Sequence, residues 1–166
     1  GKIYEWGWMC PCCKNLQQYN WSKEKPDGTW AGIVWEKIYD DDAKTILNIE
    51  KTANTAALQC YHCTNKLIDN ESNRRYLNET GQYILINDYG NNTVVTYSWC
   101  AFVNQKISFK EKVIQYLQAI EQKRRYGTTD ALKLFNQQVL GKAWQLATPI
   151  DYSKVLVQTF KPDEKW

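Results

Sequence analysis

Aromatic residues alternate with other residues at the start of the chain, at Tyr4, Trp6 and Trp8. Period-two alternation predicts a strand with one apolar face. Leu16 and then Tyr19 to Trp21 resume the pattern after a turn at Cys10–Cys13, so residues 3–21 read as a hairpin. Pro26-Asp27-Gly28 marks a turn over residues 23–28. Ile33, Val34, Trp35 and Ile38 predict a strand over residues 31–39, ended by Asp40-Asp41-Asp42. Residues 43–55 fit either a short helix or an irregular excursion. Residues 56–59 lead into a second cysteine turn, and residues 66–68 lead out of it.

The pattern then changes. Asp69 stands where an N-cap belongs, ahead of a helix over residues 70–80, with Gly81 suited to a left-handed C-terminal position. Residues 83–86 and 94–99 predict two strands joined as a hairpin through Gly90-Asn91-Asn92. Ser108 and Glu111 have capping-box spacing and open the clearest helix. Val113, Tyr116, Leu117 and Ile120 form its apolar stripe, and Gly127 closes it. A second helix from Thr129 carries Leu132, Phe135, Val139 and Leu140 on one face. The short link predicts a helical hairpin. Residues 148–166 have no period and read as a tail or the start of a missing domain.

Cys10-Pro11-Cys12-Cys13 and Cys60-Tyr61-His62-Cys63 supply two C-x-x-C pairs. Two such turns facing each other offer four thiolates to a tetrahedral metal, and zinc is the expected ion. Disulfides in a secreted chain and a redox pair are the competing readings. With four thiolates bound, no position stays open for water, so the site reads as structural. His62 is a possible alternative ligand between two cysteines. Cys12 and Cys100 read as unliganded, partly buried thiols. The expected fold class is α+β: a small zinc-ribbon-like β module, a short β-hairpin and a helical hairpin. The divisions fall at residues 1–68, 69–147 and 148–166.

Composition narrows the function. The net charge of +3 is too small to signal a nucleic-acid binder by itself. Arg74, Arg75, Lys123, Arg124 and Arg125 are the candidate phosphate contacts, and the last three also suit a helix C-terminus. Asp40-Asp41-Asp42 reads as a solvated turn against a Mg²⁺ cluster. Eight Trp and eleven Tyr suit a small core or a contact surface. The phosphate-loop motif and the G-x-S-x-G elbow are absent, and the single His62 serves no catalytic dyad. No run reaches the apolar length of a membrane span. The chain opens on Gly1 and not on Met, which fits a piece of a longer protein.

Several blocks occur in a specific order. They are Trp8-Met9-Cys10-Pro11-Cys12-Cys13, the stretch from Gly28-Thr29-Trp30 to Asp41, and Cys60-Tyr61-His62-Cys63. Asn73-Arg74-Arg75-Tyr76-Leu77 through Gly81-Gln82-Tyr83 comes next, then Trp99 with Ala101-Phe102-Val103, and Ser108-Phe109. Tyr116-Leu117 with Ala119, Leu132-Lys133 with Phe135, and Leu140-Gly141 with Trp144 complete the series. Across residues 6–145 this resembles the zinc-binding middle region of phage large terminase subunits of the lambda packaging-protein type. The resemblance implies a region between an ATPase and a metal-dependent nuclease, with neither set of catalytic residues present. It implies Zn²⁺ on Cys10, Cys13, Cys60 and Cys63. The implied partners are DNA, the remaining terminase domains, the small terminase subunit or the portal, in the cytoplasm of a bacterial host. Lys14 and Thr64 stand where zinc knuckles commonly carry glycine. The alternative is a stand-alone zinc-ribbon module of phage origin that binds DNA or protein.

Overall fold

The computed structural model describes residues 1–90 and 93–143. Asn91, Asn92, Trp144 and the expected tail at 148–166 lie outside the described residues. The chain is α+β, with two sheets and four α-helices among the described residues.

β1 (Lys2–Met9) and β2 (Leu16–Gln18) form the first hairpin, with Gly7 opposite Gln18 and Met9 opposite Leu16. A second, antiparallel sheet runs in the order β3 (Lys23–Glu24), β4 (Trp30–Val34), β5 (Ala57–Gln59) and β6 (Lys66–Ile68). β4 stops at Val34, short of the expected Tyr39. Beyond it the backbone finds threonine side chains in place of a strand: Glu36 N donates to Thr55 Oγ1 at 2.8 Å and Ile38 N to Thr52 Oγ1 at 2.9 Å. The ambiguous stretch resolves into a turn and α1 (Ile49–Ala53), capped by Asn48, whose Oδ1 accepts from Lys51 N at 2.8 Å.

The cap of α2 (Glu71–Thr80) is Asn70, not Asp69; Asn70 Oδ1 accepts from Asn73 N at 2.8 Å. Asp69 instead binds the Arg74 guanidinium and accepts from Lys110 N at 2.9 Å, tying α2 to the start of α3. Gly81 is extended (φ −65°, ψ 153°), because β7 (Gln82–Asp88) begins at the next residue. Its need for glycine is packing: a Cβ there would lie 2.5 Å from Trp6 Nε1.

β8 (Val95–Ser98) and β7 both form, but they pair with β1 and not with each other. β7 runs antiparallel to β1, with Trp6 opposite Tyr83. β8 runs parallel to it, with Tyr4 opposite Tyr97. The aromatic alternation of β1 holds both: Trp6 meets Tyr83 at 5.0 Å between centroids and Tyr4 stacks on Tyr97 at 5.4 Å. The N-terminal strand is thereby the centre of a sheet whose flanking strands come from both sides of position 68.

α3 (Phe109–Tyr126) has Ser108 as its cap, with Ser108 Oγ accepting from Glu111 N at 3.0 Å, and Gly127 at φ 69° as its stop. α4 (Asp130–Gln138) follows. Phe109, Val113, Leu117, Phe135 and Val139 enter one core with Trp8, Tyr19, Ile33 and Leu58. Trp21 is its hub, with Phe135 at 4.9 Å, Trp35 at 5.2 Å, Tyr116 at 5.3 Å and Phe102 at 6.0 Å. Ile120, expected on the apolar stripe, is 38% exposed and lines an open groove of about 700 Å³ with Trp30 and Trp35.

Gly32 joins the two sheets. Ile33 N donates to Asn20 O at 2.9 Å and Ser22 N to Ile33 O at 2.9 Å, and Trp21 bridges Ile33. This approach requires Gly32 at φ 83°, where a Cβ would overlap the Asn20 carbonyl. Gly32→Ala is expected to cost about 2 kcal/mol or more, from left-handed strain plus displacement of the 20–22 segment. A shift of the urea midpoint at constant slope measures it.

Candidate metal centre

Each sheet contributes one cysteine turn. Cys10–Cys13 joins β1 to β2, and Cys60–Cys63 joins β5 to β6. The two turns share one hydrogen-bond pattern. Cys10 N donates to Asn15 O at 3.0 Å and Cys60 N to Asn65 O at 2.9 Å. Lys14 N donates to Cys10 O at 2.9 Å and Thr64 N to Cys60 O at 3.2 Å. Lys14 and Thr64 sit in the left-handed region at φ 61° and 60°. They adopt the conformation that glycine would take without strain, each at a cost of about 1 kcal/mol. The sequence thus departs from the common knuckle residue without departing from its backbone.

The turns bring four sulfurs together. Cys10, Cys13, Cys60 and Cys63 Sγ all lie within 4.8 Å of one another and could hold a metal ion. Cys10 and Cys63 Sγ are 3.7 Å apart, as are Cys13 and Cys60 Sγ. These separations run across the turns and are far longer than the ~2.05 Å of a disulfide. All six cysteines are free. Cys10 and Cys60 are fully buried and Cys13 and Cys63 partly so. Hence the site is packed against the core on one side and reached by water on the other.

Gln17 was not legible as a site residue. It is a buried polar side chain on β2. Its Nε2 donates to Cys60 Sγ at 3.1 Å, and its Oε1 accepts from Tyr61 N at 2.9 Å. One amide from the first sheet therefore orients the cysteine turn of the second. The available signal was an inward-facing glutamine at the fourth position after Cys13, where the second turn carries the buried Leu67. Further donors reach the sulfurs from Asn15 Nδ2 to Cys13 at 3.2 Å and from His62 N to Cys60 at 3.3 Å. Burial pushes the Cys10 thiol up to about 12, while the Asn15 amide and backbone hold Cys13 down to about 6.

The other candidates lie elsewhere. His62 is exposed, packs edge-on against Tyr61, and is not among the clustered ligands. Cys12 is exposed, which corrects the expectation of partial burial. Cys100 is buried, and burial raises its thiol to about 11. Asp41 accepts from Thr45 N at 2.9 Å and Ile46 N at 2.7 Å, and Asp40 accepts from Asn48 Nδ2 at 2.9 Å. Asp40 and Asp41 are occupied in closing their own turn.

Of the basic candidates, Arg74 is half-buried against Asp69 and donates through Nε to Gln105 O at 2.8 Å. Arg75 is exposed and pairs with Glu71 at 3.3 Å. Arg124 and Arg125 both bind Glu121 and hold its carboxyl down to about 2. Lys123 shares their helical turn and is exposed. Arg74 and Arg75 stand on α2 and the other three on the last turn of α3.

Comparison with protein-family models, with curated proteins and with solved structures finds no match.

Gln17→Ala is expected to leave the four-sulfur site assembled but to weaken metal binding about 10- to 100-fold, because the ligand it orients is freed. Competition with a coloured chelator measures this. Metal uptake at neutral pH must displace the proton of Cys10, whose thiol sits far above pH 7. Uptake is therefore expected to release acid, and the affinity to fall as the pH is lowered, because protons compete for the same sulfurs. Calorimetry in buffers of different ionisation enthalpy reads the protons released.

Proposed function

We infer that this chain is a structural zinc-binding segment of a phage DNA-packaging terminase large subunit, linking its ATPase part to its nuclease part. The sulfur geometry carries the zinc reading. A tetrahedron of sulfurs at the usual Zn–S distance of about 2.3 Å has edges of about 3.8 Å. Two edges here measure 3.7 Å before any ion is considered. Four cysteines fill such a tetrahedron, so the metal has no position left for a substrate or water and acts as a cross-link.

The terminase assignment rests on the order of blocks along residues 6–145, from the first cysteine turn to Leu140-Gly141. Much of that order occupies core positions: Trp8, Leu77, Phe102, Phe109, Leu117, Leu132 and Phe135 are buried. These residues build a rigid connector around the metal. The basic candidates favour the connector over a DNA clamp, since Arg74 is engaged with Asp69 and Gln105, and Arg124 and Arg125 with Glu121. The partners of such a connector are the flanking terminase domains, the small subunit or the portal, in the cytoplasm of a bacterial host. Among the described residues no helix is long and apolar enough to cross a membrane.

Elemental analysis of the purified chain is expected to find one zinc per molecule. Cys60→Ser is expected to lose the metal together with near-ultraviolet dichroism, since metal binding and folding are coupled at about 10 kcal/mol. Less than about half a zinc per chain with intact thiols would remove the metal centre. Sequencing outward from the coding segment tests the terminase assignment separately. It is expected to reach a phosphate-loop ATPase upstream and an acidic nuclease downstream, and stop codons at both ends would overturn it.

A further inference from the structure

Two lysines of the second sheet converge on one ring beside the cysteine turns. β3 ends at Glu24, and strand alternation places Lys23 and Lys25 on one side and Glu24 on the other. Lys23 Nζ lies 5.5 Å and Lys25 Nζ 4.9 Å from the centroid of the Tyr61 ring. The negative face of the phenol attracts both ammonium groups and so gathers two like charges in one place. Tyr61 is itself fixed, because its backbone N donates to Gln17 Oε1 at 2.9 Å. Asp27 pairs with Lys25 at 3.5 Å, whereas Lys23 has no ion-pair partner among the described residues. Lys23 and His62 are exposed, and the His62 ring stands edge-on to Tyr61 with centroids 5.6 Å apart.

This combination selects a ligand that carries both negative charge and rings. Residues 10–34 and 57–68 build both cysteine turns, β2 and the second sheet, and hold four lysines against two carboxylates. One carboxylate, Asp27, answers Lys25, and the other, Glu24, lies on the opposite side of β3. An acidic peptide would use the lysines and leave the imidazole idle. Duplex DNA offers phosphates but keeps its bases stacked inside. A single strand offers both, phosphates for Lys23 and Lys25 and an unstacked base for the exposed His62 ring.

We propose that Lys23, Lys25 and His62, gathered around Tyr61 at the second cysteine turn, bind a single-stranded nucleic acid. Its phosphates lie on the two lysines and one base lies on the imidazole. The site goes beyond the connector reading and does not depend on it, since it asks only that the Cys60–Cys63 turn be formed.

Fluorescence anisotropy of the full chain with a labelled, mixed-sequence DNA oligonucleotide at several salt concentrations tests this. Binding is expected to weaken as salt rises. Lys23→Gln is expected to lower the affinity several-fold and to reduce the slope of log affinity against log salt by about 0.7, the loss of one phosphate contact. His62→Ala is expected to weaken binding at least about fivefold, and His62→Phe to restore it, because the ring and not the charge does the stacking. Lys123→Gln, at the exposed end of α3, is expected to change nothing. The zinc content of each variant separates loss of the metal centre from loss of this site. No binding at low salt, tighter binding of the duplex, or equal weakening by Lys123→Gln would overturn the proposal. So would a His62→Ala or Lys23→Gln chain that binds like wild type, a Lys23→Gln change that lowers zinc affinity in place of oligonucleotide affinity, or equal competition by polyglutamate.

Discussion

The meeting of four sulfurs at the junction of two sheets is the constraint on which the other features depend. The sheets share no regular ladder. Their hydrogen-bonded contact is the short crossing of Asn20–Ser22 over Gly32–Ile33. Cysteine turns at the corner of each sheet make a second attachment, and Gln17 makes a third by reaching across to Cys60 and Tyr61. Bringing the turns together closes the loop that contains β3, β4 and α1. Loop-closure cost grows only logarithmically with length, whereas thiolate–zinc bonding in small domains is worth on the order of 10 kcal/mol.

The rest of the chain is organised outward from that junction by aromatic packing. Trp8 carries the order from the first turn into the core, and Tyr19, Phe102 and Phe109 extend it toward α3. Trp21 then gathers Trp35, Tyr116 and Phe135, so that one indole ties the segment following β4 to α3 and α4. Such rings supply large buried area, but they bring polar atoms with them. Trp6, Trp8 and Trp21 Nε1 and Tyr19 Oη are buried without a hydrogen-bond partner. Each unsatisfied group costs about 1–3 kcal/mol, so this core exchanges polar satisfaction for packing. A small protein with a metal cross-link can carry that cost more readily than one held by its core alone.

What could be read from sequence follows the range of each signal. The cysteine spacing, the alternation of β1 and the Ser108–Gly127 brackets of α3 are local, and the structure carries all of them. Partners that depend on distant segments were not legible. β7 and β8 have the spacing of a hairpin, yet the aromatic face of β1 offers each a better neighbour than the other. Asn70 displaced Asp69 as a cap because Asp69 is needed by Arg74 and by the start of α3, residues that follow it in sequence. β4 was read as too long because apolar Trp35 and Ile38 continue its pattern, while the hydrogen bonds that end it come from Thr52 and Thr55. At the four-cysteine cluster the candidate ligands were visible in spacing alone. Gln17 was not, because an amide facing a sulfur has no sequence period.

The doubled turn has a kinetic meaning. Each C-x-x-C loop is internally tied by its own pair of backbone hydrogen bonds, so it stays formed when the other turn moves away. An ion held by two independently rigid chelates does not leave ligand by ligand. It leaves when the sheets part and one whole turn lets go, which requires the Gln17 bridge and the Asn20–Ile33 crossing to open as well. The residence time of an ion held there would then be a clock for separation of the sheets.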